Sequence, residues 1–174
     1  MKVDGEPHEA SGPGTAGRNE PDRARAFLDL ESGRGPVPVI DDSEIVELLR
    51  RARRIAIVGA SSKPYRASHG VMGTLLAAGY DCVPIHPTEN AVHGVPAYPT
   101  LHEATAATGP FDIVDVFRRA EFCPEHAREA VAARAGCLWL QLGIVSWEAA
   151  EIAAAGGLAV VMNRCTSIEL GRIR

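Results

Sequence analysis

The sequence predicts an α/β fold with a doubly wound, mainly parallel sheet of five or six strands and helices on both faces. From about residue 40 onward, short and almost wholly apolar runs alternate with amphipathic segments. Such runs are typical of parallel strands that are buried on both faces and connected by helices. The 174 residues, 46% of them hydrophobic, are enough for one domain with a sizeable core.

The N-terminal part of the chain is predicted to lie outside that domain. Residues 1–38 are rich in Gly, Pro, Glu, Asp and Arg, which predicts a disordered or loosely attached tail. Within it, RARAFLDLES is compatible with a short amphipathic turn. Residues 39–174 form the predicted domain. Its first helix, DDSEIVELLRRAR, is expected to be capped by Asp42 or Ser43.

The remaining elements alternate along the chain. A strand at RIAIVGA leads to a helix at SHGVMGTLLAAG and to a second strand at YDCVPIHP. Pro84 lies inside that second strand and cannot donate a ladder hydrogen bond, so the strand is predicted to lie near an edge. A short extended piece and a short helix in GVPAYPTLHEA precede strand FDIVDVF. Helix CPEHAREAVAARAG, which ends before Gly136, is followed by strand CLWLQLG, helix SWEAAEIAAAG and strand LAVVMNR.

Charge and composition narrow the partners and the compartment. The net charge is −4, so nucleic acid is not an expected partner. No apolar run approaches the ~20 residues that span a membrane, and the N-terminus lacks the apolar core of a signal peptide. A cytoplasmic protein with no membrane partner is therefore expected. The cysteines form no C-x-x-C pair, which predicts reduced thiols and no metal site; they are Cys82, Cys123, Cys137 and Cys165.

The loop after the first strand carries the strongest functional signal. Gly59 allows the turn, Ser61 and Ser62 offer hydroxyl and backbone N–H groups, and Lys63 and Arg66 add positive charge. The following helix points its N-terminus at the same place, which favours an anion such as a diphosphate. The alternative is an ordinary serine-rich helix start with cations in solvent.

A dinucleotide site is the obvious rival for this loop. It calls for the pattern G-x-G-x-x-G and for an acidic residue about 20 positions further on, at the end of the second strand. Here that strand ends in His86 and Pro87, and Glu89 follows only after the turn. Both departures argue against NAD. The Walker pattern G-x-x-x-x-G-K-[ST] does not occur, so P-loop nucleotide hydrolysis is not predicted either.

Five stretches together resemble a known family. The stretches are VGASSKPYRAS, PIHPTENAVHGVPAYPTL, DIVDVFRRAEFCPEHAREAV, CLWLQLGIVSWEAAEIAAAGGLAVVMNRC and IELGR. Together they resemble the small stand-alone CoA-binding proteins. Their fold is similar to the CoA-binding domain of the succinyl-CoA synthetase alpha subunit. The resemblance covers residues from about 40 to 174. It implies a Rossmann-like domain that holds coenzyme A by its diphosphate and its adenosine part.

The resemblance also implies where the ligand binds. The phosphate loop would comprise Gly59, Ala60, Ser61, Ser62 and Lys63, with Arg66 near it. His86 and Pro87 would meet the nucleotide, Phe117, Arg118 and Arg119 would form a wall, and Gln141 and Gly143 would close the site. Arg118 and Arg119 are adjacent, so only one is expected to face the ligand. Asn163 and Ser167 stand where the family usually has Asp and Lys, which leaves any role of those two residues in doubt.

The sequence contains no evident catalytic constellation. Cys165, beside Arg164, is the best single nucleophile, although a structural thiol is the plainer interpretation. The chain is too short for the synthetase domain that carries a phosphorylated histidine, so ligase activity by this chain alone is not expected. The prediction is a module that binds coenzyme A or an acyl-CoA, with no evident reaction of its own. Alternatives are an NAD(P)- or nucleotide-dependent enzyme, or a regulatory subunit that has lost the ligand. A homo-oligomer and a partner enzyme both stay open.

Overall fold

The computed structural model describes residues 20–173. A five-stranded, wholly parallel sheet with the order β2-β1-β5-β6-β7 confirms the predicted α/β fold. Its strands are β1 (Arg54–Val58), β2 (Asp81–Ile85), β5 (Ile113–Val116), β6 (Cys137–Leu140) and β7 (Ala159–Val161). A separate antiparallel hairpin pairs β3 (Ala91–Val92) with β4 (Val95–Pro96). Pro84 lies in the edge strand β2, as its missing donor predicts.

Helices cover both faces of the sheet. They are α1 (Glu20–Glu31), α2 (Asp42–Arg51), α3 (Ala67–Ala77), α4 (Leu101–Thr108), α5 (Cys123–Ala132), α6 (Trp147–Ala155) and α7 (Thr166–Gly171), with a 3-10 turn at Ala120–Phe122. Buried residues of α2, α3 and α7 pack on one face, and those of α4, α5 and α6 pack on the other. None of the helices within residues 20–173 is long and apolar enough to span a membrane.

Successive side chains of each strand point to opposite faces of the sheet, and both faces are covered by helices, so the strands are almost wholly apolar. In β1, Ile55 and Ile57 face the α2–α3–α7 layer, whereas Ala56 and Val58 face the α4–α5–α6 layer. Because both faces are covered, both sets of side chains are removed from water. The two cores meet only through the sheet, which is the doubly wound arrangement that the sequence predicts.

The strand order places a crevice between β1 and β5. The chain passes from β1 to β2 on one side, and then returns to the other side of β1 to form β5. The loops that leave β1 and β5 therefore run in opposite directions, and ligands bind at such a switch point in parallel sheets. The amide of Gly59 donates to the Ile85 carbonyl at 2.9 Å, and the amide of Phe117 donates to the Val58 carbonyl at 2.8 Å.

One local prediction about a helix end was wrong. Asp41, rather than Asp42 or Ser43, caps α2, and its carboxylate accepts from the amides of Ser43 and Glu44 at 2.8 and 2.9 Å. The Glu44 side chain accepts in turn from the Asp41 amide at 2.9 Å, a capping box that needs this three-residue spacing. After α5, Gly136 lies past the helix end as predicted, and Arg134 takes the left-handed conformation, with φ 54°.

The structure differs from the predicted tail over residues 20–38. Helix α1 packs Phe27 and Leu30 against the α4–α5–α6 core, and the Trp147 indole N–H donates to the Ala26 carbonyl at 3.2 Å. The amide of Ile40 then donates to the Val160 carbonyl at 3.0 Å, in the edge strand β7. These residues are attached to the domain. Residues 1–19 lie outside the described residues, and the prediction for them stays untested.

Candidate functional site

A cavity of about 360 Å³ opens at the switch point between β1 and β5. We call it the loop cavity. It is bounded by the loop after β1, the start of α3, the turn after β2 and the end of β5. Its lining residues are Gly59, Ser61, Lys63, Arg66, Ala67, Ser68, His86, Thr88, Glu89, Phe117 and Arg118.

Gly59 is required at the floor of the loop cavity for two reasons. Its φ of +82° lies in the left-handed region that favours glycine. A Cβ at this position would also lie 3.1 Å from the Arg118 Cδ and 3.1 Å from the Phe117 carbonyl oxygen. The loops after β1 and β5 approach each other closely because this side chain is missing.

Three cations surround the loop cavity. Lys63, Arg66 and Arg118 form no salt bridge with any residue in the described part of the chain, although Arg25, Arg54, Arg119, Arg128, Arg164 and Arg172 do. The Arg118 guanidinium instead lies 5.1 Å from the Phe122 ring centroid. Helix α3 starts here, and its N-cap residue Arg66 makes no capping side-chain hydrogen bond. Unpaired cations and a helix N-terminus together attract an anion.

A carboxylate from the turn after β2 contacts the same loop. The Ser62 amide donates to Oε1 of Glu89 at 2.9 Å, and the Ser61 hydroxyl donates to it at 3.4 Å. These donors hold the pKa of Glu89 below its ordinary value, the Ser62 backbone N–H first among them. His86 supports the turn, because its Nδ1 accepts from the amides of Thr88 and Glu89 at 3.2 and 3.3 Å. From the sequence, Glu89 is notable only because it follows the turn after the second strand, beyond the position where an acid would hold a ribose.

Two further cavities adjoin the loop cavity. The histidine cavity, of about 200 Å³, is lined by Val58, Gly59, Ile85, His86, Pro87, Pro99, Thr100, Leu101, Arg118, Phe122, Glu125, His126 and Glu129. The α1 cavity, of about 700 Å³, is lined by Asp22, Arg23, Ala26, Phe117, Arg118, Arg119, Ala120, Glu121, Gly143, Ile144 and Val145. Arg118 lines all three cavities. Arg119 lines only the α1 cavity and pairs with Glu121 at 3.2 Å, although both arginines lie near the Phe122 ring, at 5.1 and 5.3 Å from its centroid.

Most of the predicted site residues meet at these cavities, and three do not line them. Ala60 is fully buried in the core, and Ser62 reaches the site through its backbone amide. Gln141 lies in a buried polar cluster, where its Nε2 donates to the two carboxylate oxygens of Asp115 at 2.8 and 2.9 Å. Gln141 was predicted to close the site. In the structure Asp115 on β5 holds the Gln141 side chain beneath the loops, so this side chain does not line the cavities.

Asp115 is the centre of that buried cluster. The Thr166 hydroxyl donates to its Oδ2 at 2.9 Å, so α7 joins β5 and β6 through one carboxyl group. Complete burial raises the pKa of Asp115 to about 7, although the hydrogen bonds from Gln141 and Thr166 oppose the rise. The cluster supports the carboxyl ends of β5 and β6, from which two of the cavity-lining loops leave.

The segment of residues 163–167, where the sequence departs from the family, makes structural contacts here. Asn163 takes the left-handed conformation, with φ 55°, and its Oδ1 accepts from the Gly143 amide at 2.8 Å. The Arg164 guanidinium is bound by Glu169 at 3.1 Å and by Asp42. Cys165 is half-buried with its Sγ 3.2 Å from the Ser167 hydroxyl. Among the described residues, those lining the three cavities do not include Cys165.

Comparison with known proteins places this architecture in a family. Residues 53–171 match the family model described as CoA binding domain. The protein YneT of Bacillus subtilis strain 168 is 40% identical over 126 residues, which are 72% of this chain and 91% of that protein.

Solved structures show the same fold. A hypothetical protein from Pyrococcus horikoshii OT3 is 34% identical with a TM-score of 0.72, over 77% of this chain and 92% of that one. The Thermus thermophilus protein called cell-free ID.343 is 33% identical with a TM-score of 0.72, over 78% of this chain and 100% of that one.

Proposed function

Because this chain belongs to the CoA-binding domain family, we propose that it binds coenzyme A or an acyl-CoA with the diphosphate in the loop cavity. The observation that carries this proposal is the set of three cations without salt bridges around a cavity at the switch point. Coenzyme A brings roughly four negative charges, and charged donors such as Lys63, Arg66 and Arg118 bind phosphate strongly. The start of α3 adds backbone N–H groups and its positive dipole end.

The adenosine part is assigned to the histidine cavity. Pro87, Pro99 and Phe122 supply apolar surface there, which suits a planar heteroaromatic ring. Thr100 and the carboxylates on α5 could accept hydrogen bonds from an exocyclic amine. The same carboxylates disfavour a phosphate in this cavity, whereas the loop cavity is lined by three cations and one carboxylate. The proposed role is binding without a reaction of its own.

Thermal unfolding with a panel of ligands tests this function. Coenzyme A and acetyl-CoA are expected to stabilise the protein by about 2.7 kcal/mol at 100 times Kd. At the same concentration NAD(H), NADP(H) and ATP, which lack the pantetheine arm, should give a smaller shift. Mass spectrometry of the purified protein checks that no ligand is already bound. A shift with NAD(H) and none with coenzyme A would establish the dinucleotide alternative instead. No shift with any ligand would favour a subunit that has lost it.

Glu89 is expected to compete with the ligand diphosphate. Its carboxylate already occupies the Ser62 amide that would face a phosphate, and it adds negative charge to the cavity wall. We expect Glu89→Gln to tighten coenzyme A binding about fivefold, since the like charge is removed. Isothermal titration calorimetry measures the change.

The matched control for that experiment is Glu151→Gln, an exposed residue on α6. It removes the same charge outside the three cavities, so coenzyme A affinity should stay within about twofold of wild type. Weaker binding by Glu89→Gln would show that the carboxylate supports the bound state, for example by accepting from a ribose hydroxyl.

A further inference from the structure

Helix α1 forms one wall of the α1 cavity, although it lies outside the residues that match the family. Asp22, Arg23 and Ala26 share one face of the helix, since they are spaced by three and four positions. They lie across the cavity from Ile144 and Val145, which follow β6. The family match begins at residue 53, so this wall is an addition to the family domain.

The attachment of α1 is specific. The Trp147 indole N–H donates to the Ala26 carbonyl at 3.2 Å, and Phe27 and Leu30 pack on the core. The chain then crosses the indole ring at Gly35, where a Cβ would lie 1.9 Å from the ring. Only a glycine fits this crossing without displacing the indole, so the segment after α1 is built to hold the helix against α6.

The α1 cavity adjoins the proposed phosphate site. Phe117 lines both the loop cavity and the α1 cavity, and Arg118 lines all three cavities. Coenzyme A extends from its diphosphate in two directions, one ending in adenosine and the other in the thiol of the pantetheine arm. With the base in the histidine cavity, the thiol end points to the α1 cavity.

The lining of the α1 cavity suits an uncharged chain. Ala26, Phe117, Ile144 and Val145 are apolar and at least half-buried. The charged residues Asp22, Arg23, Arg119 and Glu121 are exposed at its rim, and the last two neutralise each other at 3.2 Å. A volume of about 700 Å³ lies within the range of ligand pockets.

We propose that α1 and the turn after β6 enclose a compartment for the acyl group of an acyl-CoA thioester. This inference rests on the proposed binding of coenzyme A and adds its ligand class, an acyl thioester in preference to the free thiol. We expect the pantetheine arm of coenzyme A to leave the apolar part of the compartment, between Ala26, Ile144 and Val145, unfilled. An acyl chain removes its own apolar surface and that of the compartment from water, which is the source of the preference.

Calorimetry with hexanoyl-CoA and coenzyme A tests the compartment on the full chain. Wild type is expected to bind hexanoyl-CoA on the order of tenfold more tightly than coenzyme A. Ala26→Phe, which fills the compartment from α1, should weaken hexanoyl-CoA binding by roughly tenfold and change coenzyme A binding by less than about twofold. Ile144→Phe fills the compartment from the opposite wall and should act in the same way. The test therefore still works if one of the two variants does not fold.

The control is Ala24→Phe, which makes the same change at an exposed α1 residue that does not line the compartment. It should leave both affinities unchanged. Equal effects of Ala26→Phe and Ile144→Phe on the two ligands, or no effect on either, would overturn the acyl compartment while the coenzyme A site stands. If the wild-type protein bound neither hexanoyl-CoA nor coenzyme A, the proposed function itself would be overturned.

Discussion

Arg118→Ala is expected to weaken coenzyme A binding on the order of 100-fold, about 3 kcal/mol. Arg118 lines all three cavities, and its guanidinium forms no salt bridge within the described residues. Its loss would leave a partly desolvated ligand phosphate without a charged partner. Leaving a charge unpaired in this way costs roughly 2–5 kcal/mol of binding free energy. Isothermal titration calorimetry measures the affinity, and thermal unfolding without ligand checks the fold.

Two further substitutions decide whether the effect belongs to this guanidinium. Arg118→Lys keeps the charge but loses the planar fork, so an intermediate affinity is expected. Arg128→Ala removes one positive charge at a surface site on α5, where the residue pairs with Glu148 at 3.4 Å. It should change coenzyme A affinity by less than about twofold. Equal losses for Arg118→Ala and Arg128→Ala would mean that net charge, rather than a phosphate contact, drives binding.

Local patterns were enough to predict the sheet, and most of the residues that they indicate for a ligand site line three adjoining cavities. Strands buried on both faces must be apolar throughout, so β1, β5 and β6 stand out from the helices in the sequence. The loop after β1 stands out as a candidate anion site because serine and cationic residues directly follow an apolar strand. Glycine at position 59 was predicted for the turn, and the structure adds the close approach of Arg118 as a second reason.

What the sequence hid depends on contacts between distant residues. Ala26, Phe27 and Leu30 form the apolar side of α1, where the sequence predicts only a short amphipathic turn in a loosely attached tail. The hydrogen bonds between Asp115 and Gln141 join residues 26 positions apart, and no local pattern distinguishes a polar residue beneath a loop from one that faces a ligand. Glu89 reaches Ser62 across 27 positions by the turn after β2.

The buried carboxyl group of Asp115 is expected to make stability depend on pH in an unusual direction. Burial raises its folded-state pKa from the ordinary 3.8 to about 7. Between these two values the folded chain keeps a proton that the unfolded chain has released. The contribution of Asp115 to the free energy of unfolding is therefore expected to fall as pH rises through this window and to level off above about 7. The slope approaches about 1.4 kcal/mol per pH unit, so the total is on the order of 4 kcal/mol.

Comparison with Asp115→Asn isolates this contribution from the other acidic residues, which titrate in both proteins. The amide keeps the shape of the carboxyl group without its titration, and Gln141 can turn its own amide to pair with it. Urea unfolding from pH 4 to 8 should give a stability difference, wild type minus variant, that falls between pH 4 and 7 and is constant above. A difference that stays flat would mean that the donors from Gln141 and Thr166 outweigh burial, so that Asp115 is ionised throughout this range. The presence or absence of this slope thus tells which of the two effects governs the cluster that joins β5, β6 and α7 beneath the proposed site.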